Sequence, residues 1–506
     1  MSEEKIVDIK ELAKICKEEK EKGKKIVHCH GCFDLLHPGH IRHFKAAKNF
    51  GDILVVTITQ DKFVRKGPGR PVFNEHLRLE SIASLEVVDY VALNKWETAI
   101  ETIKLLKPNF YVKGKDYSDK SGDLTGNIFL EEKAVKGGGG EIKFTDEITF
   151  SSSKIINKYF TILSAEAADY INRLKKMFTS DDIINIIKNL KDLKVLVIGD
   201  AILDEYIFCK AMGKPEKASV VSTKYLYHEL YAGGSLVVAN HVAGFVDNIH
   251  LVTCLGKKDS KQDFIEENLK KNINSKFFFR KDTPTIIKRR YLDDWNKAKL
   301  FEVSEINDDF IGQEIEKEII GYLDKLIPKI DMVIIADFGH GLITPYVQKK
   351  IVEGAPFCAV NAQTNSANYG FNLITKYKNV DYISIDEKEL RLPYRTKYGQ
   401  LEPLIERLSK DTLCKKINIT LGKSGTIYYQ EGSEYFVPVF SDNIVDTLGA
   451  GDAVLSITSL LAKKDVNPEL IPFVGNAAGA LAIKIMGNKE SIDIVDLLKF
   501  INYIMK

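Results

Sequence analysis

Cysteine is scarce in this chain, seven in 506 residues. An odd, sparse count excludes a disulfide-stapled scaffold and points to a reducing compartment. Charge of one sign is scarce too, because 72 Lys and Arg are set against 70 Asp and Glu for a net +2. That balance supplies no field for holding nucleic acid or an anionic membrane. Local basic clusters such as "KRR" (288–290) are short enough to read as solvated surface. No apolar run approaches the roughly 18 residues that span a bilayer. The N-terminal "MSEEKIVDIKELAKICKEEKEKGKK" lacks the apolar core of a secretion signal. The expected setting is cytoplasmic, with no nucleic-acid and no membrane partner.

The 44% apolar and 28% charged residues are those of a soluble globular protein. The length exceeds what one core fills, so two domains, or at most three, are expected. Two α/β patterns are visible, apolar strands alternating with helical periods, which implies parallel sheets covered on both faces. The first runs through "KKIVHC", "DILVVTIT", "VDYVAL", "NFYVKG" and "GEIKFT". Helical signals then take over up to residue 193. A second series opens at "KVLVIGD" (194–200) and continues through "DMVIIADFGHG", "FCAVNA", "DYISID" and "INITLG" to a hairpin-like "GTIYYQEGSEYFVPV". The expected division is 1–160, a helical connector 161–193, and 194–506.

Histidine is concentrated. "HCHGCFDLLHPGH" (28–40) holds four of the chain's ten. His37 and His40 flank Pro38 and Gly39 between an apolar strand and a helix. Pro38 suits a first helical turn and Gly39 lets backbone approach a ligand. A strand leading into a helix N-terminus is where an α/β sheet binds phosphate, since free N–H groups and the dipole face the anion. Two imidazoles there can stabilise charge while an α-phosphate is attacked. A zinc reading of Cys29-x-x-Cys32 lacks a second cysteine pair, and His28 reads as a packed or surface residue.

Residues 24–160 resemble the cytidylyltransferase-like nucleotidyltransferases, whose G-x-F-D-x-x-H-x-G-H motif is met by Gly31, Phe33, Asp34, His37, Gly39 and His40. The resemblance implies a Rossmann-like domain. It makes His37, His40, Lys48 ("AAKNFGD") and Arg78 ("GRPVFNEHLRLESI") catalytic. It makes Gly31, Phe33, Gly39, Lys113 ("VKGKDY") and Ser151, Ser152 and Ser153 ("TFSSSKI") nucleotide contacts, with Asp34 and Asp61 on the substrate.

The second constellation is "DTLGAGDA" (446–453) before an apolar helix. Gly449, Ala450 and Gly451 would aim backbone N–H groups at a transferring phosphoryl group, and Asp452 could take a proton from the attacking alcohol. Residues 194–506 resemble the ribokinase-like, phosphofructokinase-B-type carbohydrate kinases. That resemblance makes Asp452 the base and Gly449–Gly451 the anion hole. It gives Thr447, Gly422, Gly425 and Asn476 to ATP, and Asp200, Asp204, Gly233, Gly234 and Asn240 to the sugar. Asp386 and Glu389 ("IDEKE") fall to Mg²⁺, which carboxylates suit in hydrated form. Strands near 205–227 and 276–304 would form a small β lid, through which such kinases often dimerise. The sugar end departs from the heptose-kinase branch: Val237 replaces an asparagine, "VNAQTN" replaces D-P-K, and "LFEVSE" lacks an arginine.

Both halves together resemble the bifunctional enzymes of nucleotide-activated heptose synthesis, which carry the kinase first. The order is immaterial where each domain folds by itself. The implied enzyme phosphorylates a sugar phosphate with ATP, then transfers a nucleotidyl group from CTP or ATP to it, as a homodimer. In the alternative, only the transferase is active and the kinase-like half is a sugar-binding or dimerisation scaffold.

Overall fold

The computed structural model describes the chain apart from residues 1–2, 65–66, 68–69, 115–126, 146–162, 214–220 and 442–443. It divides into two compact units: Met1–Ala165 with Val495–Lys506, and Glu166–Ile494.

The first unit is built on five parallel strands: β1 (Ile26–Gly31), β2 (Ile53–Thr59), β3 (Tyr90–Asn94), β4 (Phe110–Gly114) and β5 (Glu141–Thr145), in the order β3-β2-β1-β4-β5. The two-residue period of a strand sorts its side chains between two faces. Val27, Cys29, Val56 and Ile58 pack with Phe44, Leu79 and Ile82 of the helices Pro38–Lys48 and Glu75–Ala83. Ile26, Val55 and Ala92 meet Leu12 and Cys16 of the helix Ile9–Glu21 on the other. Cys29 is therefore a core residue, and among the described residues no three groups of metal-ligand type gather. The chain order reverses between β1 and β4, the switch point at which ligands bind beyond the strands' carboxyl ends.

The main sheet of the second unit has nine strands in the order β10-β9-β6-β13-β14-β15-β16-β17-β18. These are β6 (Lys194–Gly199), β9 (Asn248–Gly256), β10 (Ile273–Arg280), β13 (Met332–Asp337), β14 (Cys358–Ala362), β15 (Tyr382–Asp386), β16 (Lys416–Thr420), β17 (Thr426–Gln430) and β18 (Ser433–Val437). The last two form the hairpin, closing with Gln430 opposite Ser433. Leu196, Ile198, Val333, Ile335, Val360 and Ile383 make the sheet's core. A second sheet, β12-β11-β7-β8, combines β7 (Ala201–Gly213), β8 (Ser222–Gly234), β11 (Ile286–Asp293) and β12 (Lys299–Glu305). It is the lid-like element, and it starts later than expected, since residues 276–280 belong to β10 in the main sheet.

Two boundaries differ from the expected division. The stretch read as a connector holds helices Ala165–Leu174 and Ser180–Lys188, and Glu166 onward belongs to the second unit. Tyr170 lies near the rings of Phe440 and Phe473 at 6.3 and 6.5 Å, so its helix is buried by that unit rather than left as a tether. The final helix, Ile494–Ile504, falls almost wholly within the first unit, where Phe500 lies against Gly67 and Tyr503 against Arg70. No described helix is long and apolar enough to cross a membrane.

His28 sits on β1 fully buried, with Nε2 2.8 Å from Thr57 Oγ1, and His30 Nδ1 meets the same hydroxyl at 2.9 Å. Burial, assisted by the Lys113 charge, pushes the pKa of His28 down from 6.5 to about 3. The unfolded chain therefore binds this proton first, so the contribution is whole above pH 6.5 and lost as pH falls toward 3. Each such histidine costs about 1.4 kcal/mol per pH unit within that window. His28→Gln is expected to flatten the pH dependence of urea-unfolding stability between pH 6 and 5 by about that amount.

Candidate active sites

In the first unit the loop after β1 turns sharply. Phe33 is left-handed at φ 45°, and a Cβ on Gly31 would lie 2.9 Å from the Phe33 ring, so a side chain there would push that ring aside. His37 caps the helix Pro38–Lys48, its Nδ1 accepting the Gly39 N–H at 3.1 Å. A ring nitrogen that accepts carries no proton, so neutral His37 holds its proton on Nε2. That atom is buried without a hydrogen-bond partner among the described residues, and burial lowers the pKa of the ring. His40 stacks on His37 with centroids 3.9 Å apart and meets the Phe33 ring edge-on at 5.3 Å. The pair stands at the carboxyl end of β1, beside the switch point. Lys113, at the end of neighbouring β4, is 3.0 Å from buried Glu131.

Four expected residues, Lys48, Arg78, Asp61 and Asp34, are engaged within the fold. Lys48 ends the helix that His37 begins, about 15 Å along its axis at 1.5 Å per residue. Its ammonium pairs with Asp89 and the Asp52 carbonyl at the sheet's opposite edge, so it is not brought to the histidines. Arg78 is buried, donating to the carbonyls of Phe73, Cys32 and Thr59 at 3.0, 2.6 and 2.8 Å and to Asp61 at 2.6 Å. Those bonds make it a brace between loops, with Asp61 as its partner. Asp34, also buried, accepts from Val72 N–H, Phe73 N–H and Arg70 Nε at 2.6, 3.2 and 2.5 Å, so its oxygens hold a loop instead of facing a ligand. Ser151, Ser152 and Ser153 lie outside the described residues.

In the second unit one cavity of about 1110 Å³ gathers most of the expected positions: Asp204, Gly234, Asp386, Glu389, Gly422, Gly425, Thr447, Gly449, Ala450, Gly451, Asp452 and Asn476. The helix Ala450–Lys463 starts at its wall, with Gly449 left-handed at φ 78°, where a Cβ would lie 2.2 Å from Asn488 Oδ1. Asp452 is buried one residue beyond Gly451. Gly233 stands behind Asp204, where a Cβ would strike the carboxylate at 2.2 Å.

Two expected sugar contacts are not brought there. Asp200 spends its carboxylate on the N–H groups of Phe338, His340 and Leu342 at 3.1–3.2 Å. Asn240 ties its helix to Asn268 and Lys270. Conversely, "KRR" is not solvated surface. Lys288 and Arg290 are each 8% exposed on the cavity face of β11, while Arg289 points away to Glu205 and Glu305. The two-residue period of the strand was the signal for this. Arg290 pairs with Asp204 at 2.5 Å and Glu302 at 2.9 Å, and Asn488 donates to Asp204 at 2.8 Å. Lys288 makes no ion pair among the described residues. Asn361 and Gln363 of "VNAQTN" also line the cavity.

Asp386 and Glu389 form a reciprocal cap, and Glu389 also accepts the Thr364 N–H at 2.8 Å. Burial and the neighbouring Asp386 charge push the pKa of Glu389 up to about 8. With their oxygens already receiving backbone N–H groups, the two carboxylates fit a Mg²⁺ that keeps its own waters. Such an ion neutralises charge on nucleotide phosphates when bound.

Residues 192–494, more than half of the chain, match the family model described as pfkB family carbohydrate kinase. The chain belongs to the pfkB family of carbohydrate kinases. Residues 28–158 match the cytidylyltransferase-like model, so the transferase-type domain comes first and the pfkB domain second. Curated relatives include the Bifunctional protein HldE of Sulfurimonas denitrificans, 43% identical over 129 residues, 25% of this chain and 27% of that protein. The namesake from Geobacter metallireducens is 37% identical over 163 residues, 31% of each. The chain thus matches only about a quarter to a third of the length of these relatives. The phosphofructokinase-2 of Escherichia coli, solved in complex with substrates and products, aligns with a TM-score of 0.51 at 12% identity, over 62% of this chain and all of that one. At that identity the likeness shows the fold alone.

The pfkB cavity is electrostatically tuned at Asp452. Burial, then the Asp204 charge, push its carboxyl up to about 7, against the pull of Lys288. A base must be ionised to act, so the role of base that the resemblance implies for Asp452 predicts activity that rises with pH through that value. In Asp204→Asn the opposing charge is gone. The acid limb of kcat/KM for ATP-dependent phosphorylation is expected to move to lower pH, read from the profile between pH 5.5 and 8.5, whatever happens to its height.

Proposed function

We propose that the chain is a two-step enzyme. It phosphorylates a hydroxyl of a sugar phosphate with ATP. It then transfers a nucleotidyl group from CTP or ATP to the new phosphate, giving a nucleotide-activated sugar for surface polysaccharide. The observation that carries this reading is Lys288, a buried cation that makes no ion pair among the described residues and faces the same cavity as Asp452. A buried ammonium is costly unless an anion meets it, and a phosphate already on the sugar would do so. Arg290 stands on the same strand face, while Asp204 and Asn488 suit hydroxyl groups. Asn361 Oδ1, buried without a partner among the described residues, is a further acceptor at the wall. By the resemblance to heptose-activating enzymes, the substrate class is a heptose phosphate.

In the first step the hydroxyl oxygen attacks the γ-phosphorus of ATP, Asp452 takes the proton and ADP leaves. The helix start at Gly449–Gly451 faces the developing negative charge. In the second step an oxygen of the new phosphate attacks the α-phosphorus of the nucleoside triphosphate and pyrophosphate leaves. His37 and His40 stabilise that charge by hydrogen bonds.

Mass spectrometry of products from Mg²⁺, ATP, CTP and a panel of heptose phosphates tests this. Asp452→Asn is expected to abolish the nucleotide-sugar, and His40→Ala to abolish it while phosphorylated sugar accumulates. Lys288→Met is expected to raise KM for the sugar phosphate at least tenfold with little change in KM for ATP. Transfer to supplied sugar 1-phosphates that survives Asp452→Asn, with no phosphorylation by wild type, would assign the second unit a scaffold role instead. We also infer a homodimer through the outer lid surface, where Phe301 and Val303 are exposed. Phe301→Glu is expected to shift light-scattering mass from dimer to monomer.

A further inference from the structure

The final helix, Ile494–Ile504, is packed inside the first unit, although residues 166–494 intervene and form the second. Its contacts fall on the loop that follows β2. The Arg70 guanidinium lies 5.3 Å from the centroid of the buried Tyr503 ring. A Cβ on Gly67, left-handed at φ 88°, would lie 2.3 Å from Phe500, so this backbone rests directly on that ring.

The same loop is fastened to the histidine motif. The Arg70–Asp34 pair is wholly buried, and Asp34 also holds the Val72 and Phe73 N–H groups. The Phe73 carbonyl accepts from Arg78, which reaches the Cys32 carbonyl. Asp34 is three residues before His37. A continuous set of buried contacts thus joins Tyr503 to the turn that carries His37 and His40. The energetics favour dependence. A buried guanidinium with one carboxylate partner gains from an aromatic face, and loss of that face leaves the charge poorly compensated where water cannot replace it.

We propose that Tyr503, supported by Phe500, is a positioning residue for nucleotidyl transfer: the last helix of the chain holds Gly67 and the Arg70–Phe73 segment, and through Arg70 and Asp34 it sets the His37–His40 turn. This rests on the transferase reading of the first unit, and predicts that a residue beyond the kinase-family match controls the transferase step while sparing the kinase step.

The test uses the full-length protein with Tyr503→Leu and Tyr503→Phe. Amide exchange of Val72 and Phe73, read by mass spectrometry, is expected to quicken at least tenfold in Tyr503→Leu and to stay near wild type in Tyr503→Phe. Amides of β13 should be unchanged in both. Pyrophosphate release from CTP and from ATP with a heptose 1-phosphate is expected to fall about tenfold in Tyr503→Leu. It should stay within about threefold of wild type in Tyr503→Phe, with ATP-dependent phosphorylation unaffected. Unchanged exchange at Val72 and Phe73 in Tyr503→Leu, or equal losses in both half-reactions, would overturn the proposal. A wild type that releases no pyrophosphate would sink the transferase reading, while the exchange measurement still decides whether the helix holds the loop.

Discussion

Both units depend on one constraint: parallel strands pair internally, and each of them ends in a loop at the same carboxyl edge of its sheet. Helices cover the faces, so the edge is where backbone N–H groups, helix starts and polar side chains are free to meet a ligand. His37 and His40 stand at that edge after β1, and Asp386, Gly422 and Gln363 at the equivalent edge of the larger sheet. Chemistry-bearing residues from distant parts of the sequence converge there because the hydrogen-bond register of the strands leaves them nowhere else to go.

What separates the two sites is how buried charge is handled. In the second unit, Asp204, Lys288, Arg290 and Asp452 share a cavity, and the pKa of Asp452 reflects both its burial and their balance. Breaking a buried pair such as Arg290–Asp204 costs about 3–5 kcal/mol, because the remaining charge stays desolvated. Such an arrangement is stable only with its partners present, and it suits a ligand that brings charge of its own. In the first unit the buried charges face inward. Asp34–Arg70 and Arg78 with its carbonyls hold together the loops on either side of the histidine motif.

The strand pattern, the two α/β series and the helix starts at His37 and Gly449 were legible in the sequence, since each follows from local periodicity or from a left-handed turn that needs glycine. Arg78 and Asp34 were legible as members of a motif but not as braces, because a motif fixes a residue's type and leaves its hydrogen-bond partners open. The placing of Lys48 was not legible for a related reason: ten residues of helix separate it from His37, and helical rise carries it to the far edge. Lys288 and Arg290 were hidden in a basic triplet whose alternation only becomes meaningful once β11 is known to be a strand with one face over a cavity.

By itself, then, the sequence determined the classes of element, their order and the positions of two phosphate-suited helix starts, all of which depend on neighbours within a few residues. Tertiary structure decided which carboxylates face a cavity and which pin a loop, and whether a cation is solvated or buried. It also decided that the helix ending the chain belongs with the domain that begins it. Those outcomes turn on packing between segments hundreds of residues apart, where desolvation and complementary shape, not local propensity, set the free energy.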